Sequence, residues 1–262
     1  MAKLSSHQST EYTKLVYIGE SGTGKTGSLT SLVEAGYKLR ILDFDNGLDI
    51  LRLFINHSDP KLIDNVDFIT LRDKFKADKR LGAKVDGVPT AYTQAVSYIS
   101  KWDDDSIPSE WGTETIFVLD SLTQLGRAAF RWALAMNPTI KDRRQIYGAA
   151  QEALYILLEL ITSDEFKTNV VIISHVDIRE TAQGIQKGYV SSIGAALGPK
   201  IPMLFNTILL AESRGSGSNV KRTITTVPTT LIDLKNPAPF ALEKSLPLET
   251  GLATVFSALN SK

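Results

Sequence analysis

The sequence predicts an α/β protein: a mostly parallel central sheet with helices on both faces. Three observations carry this. The runs 14–18, 115–120 and 169–174 are apolar with almost no alternation, the pattern of parallel strands covered on both faces. Stretches of helical period separate the strands. A glycine-rich turn, Gly19-Glu20-Ser21-Gly22-Thr23-Gly24-Lys25-Thr26, stands directly between the first strand and the first helix.

Residues 1–13 are polar and read as a tail or as an arm that docks on a neighbour; 14–262 read as one domain. After the first strand and its glycine-rich turn, 27–35 reads as a helix and 38–43 as strand two, ending in the turn Asp43-Phe44-Asp45-Asn46-Gly47. A helix over 48–55 follows, then a third strand over 65–71, whose alternation places it near the sheet edge. Residues 72–84 carry six basic and two acidic side chains, the most basic stretch of the chain, read as solvated surface. A helix over 90–102 leads to the strand 115–120, and Asn137-Pro138 ends the helix 122–136. The helix 144–162 gathers Ile146, Ala150, Leu154, Leu157, Leu158 and Ile161 on one face. The strand 169–174 ends in Ser174-His175, and 178–200 reads as a long Gly- and Ser-rich loop, of the kind that in a compact domain is functional or disordered. Segments 206–211 and 221–227 read as a strand pair, and a short helix over 252–259 ends the series.

The turn 19–26 fits G-x-x-x-x-G-K-[ST], the phosphate-binding loop of P-loop nucleotidases. Glycines permit positive φ, so that successive backbone N–H groups face a pyrophosphate, and the helix that follows adds its positive end. Lys25 reaches the β- and γ-phosphates, and Thr26 offers a hydroxyl to Mg²⁺. Asp120, the last residue of an apolar strand, reads as the carboxylate that emerges beside the phosphates.

Composition narrows the classes. With 29 basic and 29 acidic residues no bulk field draws the chain to nucleic acid or anionic lipid, so any DNA contact rests on local patches. No cysteine is present, which excludes disulfides and thiolate catalysis and fits a reducing compartment. His7, His57 and His175 show no zinc spacing. No apolar run of membrane-spanning length occurs; a cytoplasmic protein without membrane contact is expected.

The order of parts resembles the RecA-type ATPase core. After the phosphate loop come Ile41-Leu42-Asp43-Phe44-Asp45-Asn46-Gly47-Leu48, a strand running into Asp120-Ser121-Leu122, and a strand ending in His175. More closely, over roughly 14–236, it resembles the small phage RecA-like ATPases of the Sak single-strand annealing group, which implies the cytoplasm of a host cell. The resemblance implies ATP and Mg²⁺ as cofactors. Asp45 takes the place of the family's water-activating glutamate, as a shorter carboxylate, although Asp43, Asp45 and Asn46 are also ordinary turn formers. Asp120 matches the Walker B aspartate and His175 the γ-phosphate sensor, where the recombinases have glutamine. Arg52 matches a position that stacks on the adenine. Lys235 matches a basic residue inserted into a neighbour's active site, which implies a homo-oligomer with a shared ATP site. The 178–200 segment, with Arg179, Lys187, Lys200 and Tyr189, lies where the family binds single-stranded DNA. The implied function is a Mg²⁺-ATPase acting on single-stranded DNA in recombination or annealing. The alternatives are a nucleotide-dependent assembly switch with little hydrolysis and a ring-helicase type of motor.

Overall fold

In the computed structural model, which describes residues 11–260, the central sheet has eight strands. Ten residues of the expected arm, 1–10, lie outside the described range.

The chain begins with β1 (Lys14–Gly19), then α1 (Lys25–Ser28) and α2 (Thr30–Glu34), which split at Leu29 the single helix expected over 27–35. Strand β2 (Lys38–Asp43), α3 (Asp49–Ser58) and β3 (Val66–Thr70) follow. The basic stretch forms a small hairpin, β4 (Phe75–Asp78) with β5 (Gly82–Val85), ahead of α4 (Ala91–Ser100). Next come β6 (Gly112–Asp120), α5 (Leu122–Met136), α6 (Arg143–Thr162) and β7 (Thr168–Ser174). The stretch expected as a loop is in part a second hairpin, β8 (Val176–Glu180) with β9 (Gln186–Val190). Strands β10 (Thr207–Arg214), β11 (Lys221–Thr225) and β12 (Ser245–Pro247) lead to α7 (Leu248–Asn260).

The order across the sheet is β12-β11-β10-β1-β7-β6-β2-β3. The five pairings from β10 to β3 are parallel, and the two at one edge, β10 with β11 and β11 with β12, are antiparallel, so that β11 alone is reversed. Strand β3 forms the other edge, where its alternation placed it. Side chains of one strand alternate between the two faces. Val16, Ile18, Phe117, Leu119, Val170 and Ile172 thus enter the core under α4, α5 and α6. Leu15, Tyr17, Ile116, Val118, Val171 and Ile173 enter the core under α2, α3 and α7. Both faces are covered, which is why these strands read as unbroken apolar runs.

Two glycines explain why 178–200 read as loop. Gly184, at φ 76°, makes the turn between β8 and β9. A Cβ on Gly188 would stand 2.7 Å from Ile232 Cγ1, so this position is glycine for close packing rather than for flexibility.

At the amino edge of the sheet the two ends of the described chain meet. The Thr13 N–H donates to Asn169 Oδ1 at 2.8 Å, the Thr13 hydroxyl donates to Asn260 Oδ1 at 3.3 Å, and Asn260 Nδ2 donates to the Tyr37 hydroxyl. Among the described residues no helix is long and apolar enough to cross a membrane.

Candidate active site

Parallel strands end on one side, so the residues that follow β1, β2, β6 and β7 gather along a single carboxyl edge. Register aligns Asp43 with Asp120 and Ile18 with Ser174. The sequence-expected groups at strand ends therefore come together.

In the phosphate loop, Gly22 and Gly24 have φ of 80° and 92°, which turns the loop in the way that only glycine takes without strain. A Cβ on Gly24 would also stand 2.5 Å from Leu248 Cδ2, and one on Gly19 2.6 Å from the Ala211 carbonyl. The loop is thus packed from behind by α7 and β10. Lys25 is buried, and its ammonium donates to the carbonyls of Gly19 at 2.9 Å and Glu20 at 2.7 Å. Burial lowers the Lys25 pKa, opposed by Asp120, Asp45 and Glu20. The Thr23 hydroxyl closes the loop onto the Glu20 carbonyl at 2.8 Å, while Glu20 and Ser21 are exposed.

Thr26 donates its hydroxyl to Asp120 Oδ2 at 2.7 Å. Asp120 is 3% exposed, and burial pushes its pKa up to about 7, with Asp45 and Asp43 adding to the rise and Thr26 and Lys25 opposing it. The peptide from Asp120 to Ser121 is cis.

The turn after β2 separates its carboxylates by role. Asp43 is buried and accepts from the N–H groups of Asp45 at 3.1 Å and Asn46 at 2.7 Å and from the Thr70 hydroxyl at 3.2 Å. It is the turn former. Asp45 is exposed, accepts from the Ser121 hydroxyl at 2.9 Å, and acts electrostatically on Lys25, Asp120 and His175. Ser121 was missed in the sequence; its position just after the strand-end carboxylate was the available signal.

His175 follows β7 directly. Its N–H donates to Thr123 Oγ1 at 3.2 Å, its carbonyl accepts from Ser191 N at 2.9 Å, and its ring bonds the Gly19 carbonyl. Burial, and then Lys25, lower its pKa, opposed by Asp45 and the Gly19 bond. The neutral imidazole is favoured, held between the phosphate loop and the segment after β9.

Arg52 and Lys235, expected to meet a nucleotide and a neighbouring subunit, hold partners within the chain. Arg52 faces solvent and pairs with Asp49 at 3.2 Å. Ile50 and Phe54, four apart on α3, are the side chains that meet Gly27, where a Cβ would stand 2.7 Å from Phe54 Cε2. Arg52, two positions from each, falls on the opposite side of the helix. Lys235 sits beside Ile208, three positions below Ala211, the partner of Gly19. Its ammonium donates to the carbonyls of Pro202 at 2.5 Å and Phe205 at 3.1 Å, satisfying the end of a 3₁₀ turn over 201–204. That engagement takes it away from the carboxyl edge of its own chain. Arg222, unremarked in the sequence, crosses from β11 to donate its Nε–H to the Gly22 carbonyl at 3.4 Å.

The segment expected to meet DNA is also altered. Arg179 pairs with Asp177 and donates to the carbonyls of Gly194 and Ala195, and Lys187 pairs with Asp233 at 2.5 Å. Within 178–200 the sequence holds one acid, Glu180; Asp177 lies just outside it and Asp233 far along the chain.

A nucleotide with Mg²⁺ fits this donor set. The cradle is glycine where a Cβ would intrude, an ammonium stands at its mouth, and a hydroxyl and a carboxylate offer hard oxygen ligands side by side. Among the described residues no group of three or more His, Cys, Asp or Glu side chains could hold a metal alone.

A family model described as AAA domain matches residues 11–238. Among solved structures, the chain is similar to a KaiC-like protein from the hyperthermophilic archaeon Pyrococcus horikoshii, at 10% identity and a TM-score of 0.41, covering 81% of this chain and 77% of that one. It is also similar to the flagellar accessory protein FlaH of Methanocaldococcus jannaschii, at 11% identity and a TM-score of 0.43, covering 90% and 86%. A third likeness is to an ATPase of the type III secretion system of pathogenic bacteria, at 14% identity and a TM-score of 0.41, covering 76% and 50%. None of the curated proteins compared with the chain matches it.

Proposed function

The chain belongs to the AAA-domain family as an ATP-hydrolysing P-loop enzyme, and on that premise we propose a Mg²⁺-dependent ATPase that acts on single-stranded DNA in recombination or annealing, in the manner of the Sak group. The proposed unit is one ATPase domain over 14–262, working as a homo-oligomer in the cytoplasm. One observation carries the ATPase part: Lys25, the Thr26–Asp120 pair, the Asp45–Ser121 pair and His175 share one edge of the sheet.

Bound Mg²⁺ would supply charge neutralisation at the β- and γ-phosphates, held by Thr26 and Asp120. Lys25 places a fixed positive charge on the transferred phosphoryl group. Asp45, oriented by the Ser121 hydroxyl, is the carboxylate placed to position the attacking water. His175, held by its backbone on Thr123 and Ser191, would sense the γ-phosphate by turning its one ring N–H from the Gly19 carbonyl to the nucleotide. The DNA part rests on the order of motifs.

The test is steady-state ATP turnover against a titration of single-stranded DNA, with Lys25→Ala as the control. Mg²⁺-dependent turnover that the DNA raises, and that Lys25→Ala abolishes, is expected. Turnover unaffected by Lys25→Ala in a folded variant would remove the phosphate-loop assignment; turnover indifferent to DNA would remove the nucleic-acid part alone.

A further inference from the structure

The stretch from Arg72 to Asp86 leaves the sheet at the end of β3, on the edge where the active site lies. Leu71 N–H donates to the Asp43 carbonyl at 2.8 Å, and Thr70 bonds the Asp43 carboxylate. The hairpin is therefore rooted on the residue that shapes the Asp45 turn. Its feet are fixed. Asp86 N–H donates to the Lys74 carbonyl at 2.8 Å, and the buried Asp73 carboxylate accepts from the N–H groups of Thr90 and Ala91 and from Arg131 Nε at 2.5 Å. Strands β4 and β5 pair in register from Phe75–Val85 to Asp78–Gly82.

The charges on this ridge are unevenly compensated. Lys76 pairs with Asp86 and Lys84 with Asp78, both at 2.6 Å. Arg72, Lys74, Lys79 and Arg80 are exposed, and among the described residues none of them makes an ion pair, Lys74 acting on Asp86 only at longer range. Beside them Phe75 is 59% exposed, with the Arg131 guanidinium 5.5 Å from its ring centre. The β8–β9 hairpin differs: Arg179 and Lys187 already hold Asp177 and Asp233, which leaves Lys200. A cation that brings its own carboxylate adds little to the attraction for a phosphate backbone; an uncompensated one releases a counterion for each phosphate it neutralises. In a chain of zero formal charge such a cluster is the kind of local patch on which binding depends.

We propose that the β4–β5 hairpin, through Arg72, Lys74, Lys79 and Arg80 with Phe75 as a stacking surface, is the docking site for single-stranded nucleic acid. This rests on the single-stranded DNA reading above and moves its location from the β8–β9 hairpin. Four free cations follow the backbone, and an exposed ring beside them accepts a base face of any sequence. The Thr70 and Leu71 bonds to Asp43 join the base of this hairpin to the Asp45 turn.

The test is fluorescence anisotropy of a labelled oligodeoxythymidylate at several salt concentrations, with ATP turnover measured alongside. The variant Arg72→Gln/Lys74→Gln/Lys79→Gln/Arg80→Gln should bind at least about 100-fold more weakly at low salt, with a salt slope smaller by up to about 3, and keep its basal turnover. Phe75→Ala should cost about tenfold with the slope unchanged. Arg179→Gln/Lys187→Gln/Lys200→Gln should bind within a few-fold of the parent. Parent-like binding by the hairpin variant, or loss confined to the Arg179, Lys187 and Lys200 variant, would overturn the hairpin site and leave the DNA reading standing. A parent that turns over ATP but binds no oligonucleotide would overturn both. Tighter binding of duplex DNA or of phosphatidylserine vesicles through the same four cations would overturn the single-stranded class.

Discussion

Replacing Asp120 by asparagine should make the protein more stable when Mg²⁺ and nucleotide are withheld. In an unfolded chain this carboxyl ionises near 3.8, whereas burial in the fold pushes it up to about 7. A carboxyl held protonated by the fold contributes most below its unfolded value, and that contribution is lost as pH rises toward the folded one. At about 1.36 kcal/mol per pH unit, the loss is about 1 kcal/mol at pH 4.5 and levels near about 4 kcal/mol at pH 8. The substituted amide titrates nowhere in this range, and its side-chain carbonyl still accepts the Thr26 hydroxyl. Urea unfolding in EDTA at both pH values measures the difference between parent and variant. The expected result is an advantage for Asp120→Asn that grows by about 3 kcal/mol from pH 4.5 to pH 8. A difference that stays flat across this range would refute the argument, whatever its absolute size. With Mg²⁺ and ATP present the same variant should have lost its turnover, because a neutral amide is a poor ligand for a hard cation.

Asp45→Asn should lower turnover at least about 100-fold while ATP affinity stays within a few-fold, read by steady-state kinetics and nucleotide binding. Full activity in that variant would leave Asp45 a turn residue like Asp43. Asp73→Ala should cost about 3 kcal/mol in urea unfolding, since it leaves two N–H groups at the start of α4 and the Arg131 guanidinium without their shared carboxylate. A cost below about 1 kcal/mol would show that the foot of the β4–β5 hairpin does not depend on this pair.

Legibility in the sequence followed the range over which each feature is encoded. The phosphate loop and the strands β1, β6 and β7 were visible because a strand covered on both faces is apolar at every position. The edge location of β3 was visible because a half-covered strand alternates. The end of helix α5 was visible in Asn137-Pro138, whereas Ser121, whose hydroxyl caps its start, was not read as a cap. The break at Leu29 was hidden, because nothing in Leu29-Thr30-Ser31 distinguishes one helix from two. What the sequence concealed most was compensation at a distance. Lys187 finds Asp233 and Lys235 finds the carbonyls of Pro202 and Phe205, and no local pattern announces either. Arg222 reaches the phosphate loop across 200 residues of chain for the same reason. Glycine content misled as well: it signalled a loop over 178–200, where Gly184 serves a turn and Gly188 a tight contact.

The meeting of Thr13 with Asn260 has a practical meaning for how the chain can be rearranged. These residues lie at the amino edge, and β1, six residues long, separates them from the phosphate loop by about 20 Å. A short linker from 260 back to 11 would close the described chain into a ring without approaching the nucleotide cradle. New ends could then be opened elsewhere, for example beside Gly215 in the exposed turn after β10. Immobilised through that linker, the molecule would present its carboxyl edge, with Asp45, Asp120 and the β4–β5 ridge, outward to solution.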